Sequence, residues 1–154
     1  MLTDNEQDEI RQEMAHCEHK RAAIPEALKI IQRYRGYVSD ESLGDLAGEM
    51  GMTVDELDGI ATFYNLIYRR PVGRHVILVC DSISCYICGS DNLIDHLKAR
   101  LGVELGQTTA DRRFTLLPVV CLGACDRAPV MMVDEELFGP LDARLIDEVL
   151  ERFR

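Results

Sequence analysis

The chain has 154 residues, 47% of them hydrophobic, and a formal net charge of −10 shared evenly between its halves, enough for one full core and a small appended module, with no basic platform for nucleic acid. No apolar run nears the ~20 residues of a membrane span, and the opening Met1-Leu2-Thr3-Asp4-Asn5-Glu6 is neither basic nor apolar, so neither membrane insertion nor export is expected. Six cysteines in such a chain are expected to remain thiols or bind metal.

Residues 1–72 read as a helical bundle region. A charged stretch from about Glu6 to Lys20 suggests a loose first helix. Pro25 opens the next, with Leu28, Ile30, Ile31 and Tyr34 on its apolar side and Gly36 as its stop. Ser39 is placed to cap a third helix carrying Leu43, Leu46, Ala47 and Met50 at i, i+3, i+4, i+7, closed by Gly51. Thr53 and Glu56 form a capping box ahead of Leu57, Ile60, Ala61 and Tyr64 at the same spacing, and Ala61-Thr62-Phe63-Tyr64 reads as a packing anchor. Short helix, turn, short helix is also how a DNA-reading motif looks. From Gly36 through Tyr68 there is no Lys or Arg, while Asp40, Glu41, Asp45, Glu49, Asp55, Glu56 and Asp58 are all present, and phosphate would be repelled.

The organisation changes near Pro71-Val72-Gly73, and residues 73–154 read as an α/β domain. His75 to Cys80 is a short β-branched run suited to a buried strand, and Phe114 to Val120 and Val130 to Val133 resemble it. Between them Ser90 is a plausible cap for a helix lined by Leu93, Ile94, Leu97 and Leu101 and stopped by Gly102. A final helix from about Asp142 to Phe153 turns Leu145, Ile146, Val149 and Leu150 inward. The order strand, helix, strand, strand, helix fits a thioredoxin-like sheet.

Four cysteines stand out in this half: Cys80 and Cys85 with four residues between them, Cys121 and Cys125 with three. The predicted layout puts Cys80 and Cys121 at strand ends and their companions on the following loops. Two thiol pairs so arranged suit a [2Fe–2S] cluster, each iron taking two thiolates. The cluster on four thiolates carries a formal charge of about −2 and needs N–H donors to its sulfurs; Leu122-Gly123-Ala124 offers backbone amides. Asp81 and Asp126, each directly after a ligand, would keep the potential low. A four-thiolate zinc site and unliganded or redox-active thiols remain open on spacing alone. Cys88 makes a formal Cys-x-x-Cys pair with Cys85 but reads as a neighbouring free thiol, and Cys17 as a packing or surface residue.

Cys80-Asp81-Ser82-Ile83-Ser84-Cys85, Gly106-Gln107-Thr108-Thr109, Phe114-Thr115-Leu116-Leu117-Pro118 and Cys121-Leu122-Gly123-Ala124-Cys125-Asp126 with Pro129, together with Ala23 to Leu28 and Gly59 to Tyr64, closely resemble the E subunit of bacterial NADH:quinone oxidoreductase, respiratory complex I. The resemblance runs over nearly the whole chain and departs from the usual pattern at Cys88. It implies a thioredoxin-like [2Fe–2S] ferredoxin domain preceded by a small helical bundle, with Cys80, Cys85, Cys121 and Cys125 holding one cluster. It further implies electron exchange with the flavin of a neighbouring NADH-oxidising subunit, other peripheral-arm subunits as partners, and a cytoplasmic site, membrane-associated only through the complex.

Gly-x-Gly-x-x-Gly is absent, so FMN and NADH are expected on the partner. The acidic helices and the Ala61 to Tyr64 turn are the candidate docking surface. An electron-transfer subunit of an NAD-linked hydrogenase or formate dehydrogenase, or a freestanding ferredoxin of this fold, would share the four ligands.

Overall fold

The sheet is confined to the second half of the chain in the computed structural model, which describes residues 1–153: two compact units form, Met1–Pro71 and Val72–Arg154, each with its own buried cluster. The first holds α1 (Asp4–His16), a 3-10 turn (Lys20–Ala23), α2 (Ile24–Arg35), α3 (Asp40–Met50) and α4 (Val54–Phe63). The first helix is tighter than its charge suggests. Thr3 caps it in a capping box with Glu6, so it starts at Asp4 and ends at His16, and the chain up to Ala23 winds into the 3-10 turn.

The α2 residues Leu28, Ile30 and Ile31 are buried as their spacing requires. Tyr34, expected beside them, is 46% exposed, and its hydroxyl donates to a Glu9 carboxylate oxygen at 2.6 Å. Ser39 caps α3, and Thr53 with Glu56 caps α4. The packing-anchor reading fails after Ala61: that residue is buried, but Phe63 is 78% exposed and Tyr64 is exposed too. The helix stops at Phe63 and Tyr64 turns extended, so a residue seven positions after Leu57 no longer lies on the inward face. Ile67 joins the core instead.

The second unit is a five-stranded sheet in the order β2-β3-β1-β4-β5, formed by β1 (His75–Cys80), β2 (Gln107–Thr108), β3 (Phe114–Val119), β4 (Met131–Val133) and β5 (Glu136–Phe138). The central β1 pairs parallel to β3, with Cys80 opposite Val119, and antiparallel to β4, with Val79 opposite Met131. Five of its six residues are buried, as a strand covered on both faces requires. Helix α6 (Ser90–Leu101) and helix α7 (Ala143–Arg152) supply Ile94, Leu97, Ile146, Val149 and Leu150 to the core. Gly89 at φ +91, not Ser90, takes the α6 cap position; Ser90 is the first helical residue and is buried. No helix of the described residues is long and apolar enough to cross a membrane.

Candidate metal centre

The two cysteine pairs sit at the C-terminal ends of β1 and β3, neighbouring parallel strands. Cys80 is the last residue of β1 and is buried. Its N–H donates to the Val130 carbonyl at 3.2 Å and the next N–H, of Asp81, donates to the Val119 carbonyl at 3.1 Å, so sheet hydrogen bonds hold the first ligand candidate from both sides. Its thiol reaches the Val120 carbonyl at 3.9 Å.

The chain after Cys80 was expected to be a loop; it winds instead into a short helix, α5 (Ile83–Ile87). Cys85 lies on its inward side and is buried, whereas Ile83, Tyr86 and Ile87, at i, i+3, i+4, face out. That spacing was a readable signal of the helix. Burial first, and then a hydrogen bond with the Cys80 thiol, push the Cys85 thiol up to about 11; the Val130 backbone acts in the opposite direction. Cys125 is close enough to add to the upward push.

Cys121 and Cys125 flank Leu122-Gly123-Ala124 and are exposed. The Gly123 N–H donates to the Cys121 sulfur at 3.3 Å, which the left-handed φ of +73 at Gly123 permits. Cys125 opens a 3-10 turn ending at Arg127. Cys88, at the C-cap of α5, is exposed, and Cys17 caps the end of α1 in the helical unit, partly exposed.

The structure thus brings Cys80, Cys85 and Cys125 near one another, with Cys121 one residue past Val120, whose carbonyl meets the Cys80 thiol. Among the described residues no three His, Cys, Asp or Glu converge as the ligand set of a single ion. A two-iron cluster divides its thiolates between two metals, so its ligands spread wider than those of a closed tetrahedral zinc site. Four soft sulfur donors at the ends of adjacent strands, one of them already receiving a backbone N–H bond, fit such a group. Sequence reasoning foresaw the amide at Gly123 but not the Val130 carbonyl that holds the Cys80 N–H, because a backbone bond between remote positions has no side-chain signature.

Fold and donor set together define a ferredoxin of the thioredoxin-like class. The family model for thioredoxin-like [2Fe–2S] ferredoxins matches residues 10–154, and the chain belongs to that family. It is 46% identical over 153 residues to the E subunit of the NADH-quinone oxidoreductase of Pseudomonas aeruginosa and to that of Escherichia coli K12, in both cases covering 99% of this chain and 92% of the relative. A chain of an NAD+-reducing [NiFe]-hydrogenase in the air-oxidised state superposes with a TM-score of 0.69 at 27% identity, over 82% of this chain but 22% of the hydrogenase chain.

Proposed function

We propose that this chain is the electron-transfer subunit of an NADH-quinone oxidoreductase, holding one [2Fe–2S] cluster on Cys80, Cys85, Cys121 and Cys125. The carrying observation is the 46% identity to the E subunits of such complexes across nearly the full length of both chains. When bound, the cluster supplies single-electron exchange with the flavin of the neighbouring NADH-oxidising subunit.

The chain's own residues do the rest. The β1 and β3 ends hold Cys80 and the approach to Cys121 in place, which limits ligand movement between oxidation states. The Gly123 N–H stabilises negative charge on the Cys121 sulfur. Exposed Asp81 and Asp126 oppose added negative charge and keep the potential low. Around the ligands, Ile83, Tyr86, Ile87 and Val120 form an exposed apolar rim; Ile87 is 77% and Val120 72% exposed. No Lys or Arg lies between His75 and Leu97 or between Phe114 and Asp126. That rim excludes water when a partner face with an apolar centre and basic border covers it.

In the helical unit, exposed Phe63 and Tyr64 beside the acidic α3 and α4 are a second docking point, suited to another peripheral-arm subunit. FMN and NADH belong to the partner, and the chain works at the cytoplasmic side, attached to the membrane only through the complex. The division at residue 72 into a helical region and a cluster-bearing domain is part of the same reading.

A second reading has one observation behind it: the 0.69 superposition on a hydrogenase chain supports the electron-transfer module of an NAD-linked hydrogenase. Co-purification from the native host separates the two, by whether an NADH-oxidising subunit arrives with quinone-reductase or with hydrogenase components. The cluster itself is tested by electron paramagnetic resonance of the dithionite-reduced protein with iron and acid-labile sulfide analysis. Two irons, two sulfides and a rhombic or axial reduced signal are expected; colourless, zinc-containing protein overturns the reading. Cys121→Ser is expected to bleach or shift the visible absorption, and an unaltered spectrum removes Cys121 from the ligand set.

A further inference from the structure

Past β5, the segment Gly139-Pro140-Leu141 lies against the chain that follows Cys125. A β-carbon on Gly139 would stand 2.6 Å from Val130 Cγ1, 2.7 Å from the Arg127 carbonyl oxygen and 3.1 Å from the Pro129 carbonyl oxygen, so no side chain fits without moving that stretch. Two hydrogen bonds close the contact. Arg127 Nη2 donates to the Gly139 carbonyl at 3.0 Å, and the Leu141 N–H donates to the Pro129 carbonyl at 2.8 Å.

Val130, which this strap presses on, is buried at 1% exposure and is bonded to the first member of the first cysteine pair. Its carbonyl accepts from the Cys80 N–H at 3.2 Å. Upstream, the turn at Cys125 is closed by the Arg127 N–H on the Ala124 carbonyl at 3.0 Å and the Ala128 N–H on the Cys125 carbonyl at 3.3 Å. Residues 125 to 130 therefore carry one ligand candidate and hold a second, and the strap braces them from behind.

We infer that Gly139 is a positioning residue for the iron–sulfur centre: its missing side chain lets residues 139–141 seat against Arg127 and Val130, and that seating fixes the turn that carries Cys125 and the Val130 carbonyl that holds the Cys80 N–H. The inference rests on the four-cysteine ligand reading above. The midpoint potential depends on the ligand backbone and the hydrogen bonding around the sulfurs, so displacing the segment that carries Cys125 and holds Cys80 changes it. A residue that served stability alone would leave the potential of the folded, loaded protein where it was.

The test is a redox titration of the full chain, wild type against Gly139→Ala and Val130→Ala, with iron content, circular dichroism and the reduced paramagnetic spectrum recorded on each. Gly139→Ala inserts the obstructing methyl; Val130→Ala removes the side chain the strap presses on while keeping every backbone group and every charge. Both are expected to retain two irons per chain, to show a midpoint potential displaced from wild type by more than the scatter of replicate titrations, and to shift the g values. If Gly139→Ala is not recovered folded, Val130→Ala decides alone. A loaded variant with wild-type potential and g values overturns the inference while leaving the ligand reading intact; wild-type protein that takes up no cluster overturns both.

Discussion

Glu6 is 1% exposed on the first turn of α1, where an ionised carboxylate is tolerated only if its oxygens are bonded. They are: Arg35 donates from Nε at 2.6 Å and from Nη2 at 2.7 Å, and the Thr3 N–H donates at 2.7 Å. The Arg35 bonds come first in holding the Glu6 carboxyl at about 2, below its ordinary 4.5, while burial works the other way. Because the folded value is the depressed one, the stabilisation is complete above pH 4.5 and is lost as pH falls from there towards 2. The shift corresponds to something on the order of 3 kcal/mol. Denaturant unfolding followed by helical circular dichroism should therefore weaken between pH 6 and pH 3, and Glu6→Gln should flatten that slope; an unchanged slope in the variant assigns the acid sensitivity elsewhere. The exposed Arg144–Glu148 pair on α7 illustrates the contrast, since solvent-facing pairs contribute ~0–1 kcal/mol.

At the scale of the element, α4 separates what periodicity reveals from what it hides. Leu57 is fully buried and Phe63, six positions on, is mostly exposed, although both are apolar residues of one helix. Leu57→Ala should cost about 2–5 kcal/mol, through lost burial and the cavity left behind, whereas Phe63→Ser should stay within about 0.5 kcal/mol. Equal losses in denaturant titrations of the two variants would mean that Phe63 packs inward. The capping boxes at Thr3 and Thr53, the apolar stripes of α2 and α3 and the buried run of β1 carry side-chain signals several residues long, and all but the box at Thr3 stood out in the sequence. Strands β2 and β5, of two and three residues, are too short to show a period. The four cysteines announced themselves by spacing, but the Val130 carbonyl bond to Cys80 and the Gly139 contact are backbone relations between remote positions, which only the folded chain displays.

For the whole molecule, the question is whether the two units owe their stability to each other. Every residue of the first buried cluster lies between Leu2 and Ile67 and every residue of the second between Ile77 and Leu150, so each core closes within one unit. A single core in a domain below about 80 residues supplies only a few kcal/mol, which is marginal but sufficient for independent folding. All four ligand candidates, the Val130 carbonyl and the Gly139 strap belong to the second unit. The fragment 72–154 is therefore expected to fold alone and to take up the cluster with the absorption and paramagnetic spectra of the full chain, its thermal transition lying at or slightly below that of the intact protein. Fragment 1–71 should show a helical spectrum and bind no iron. If 72–154 aggregates or stays colourless after anaerobic reconstitution while the full chain loads normally, the helical unit contributes to holding the metal centre, and the division at the Pro71–Val72 boundary separates cores but not functions.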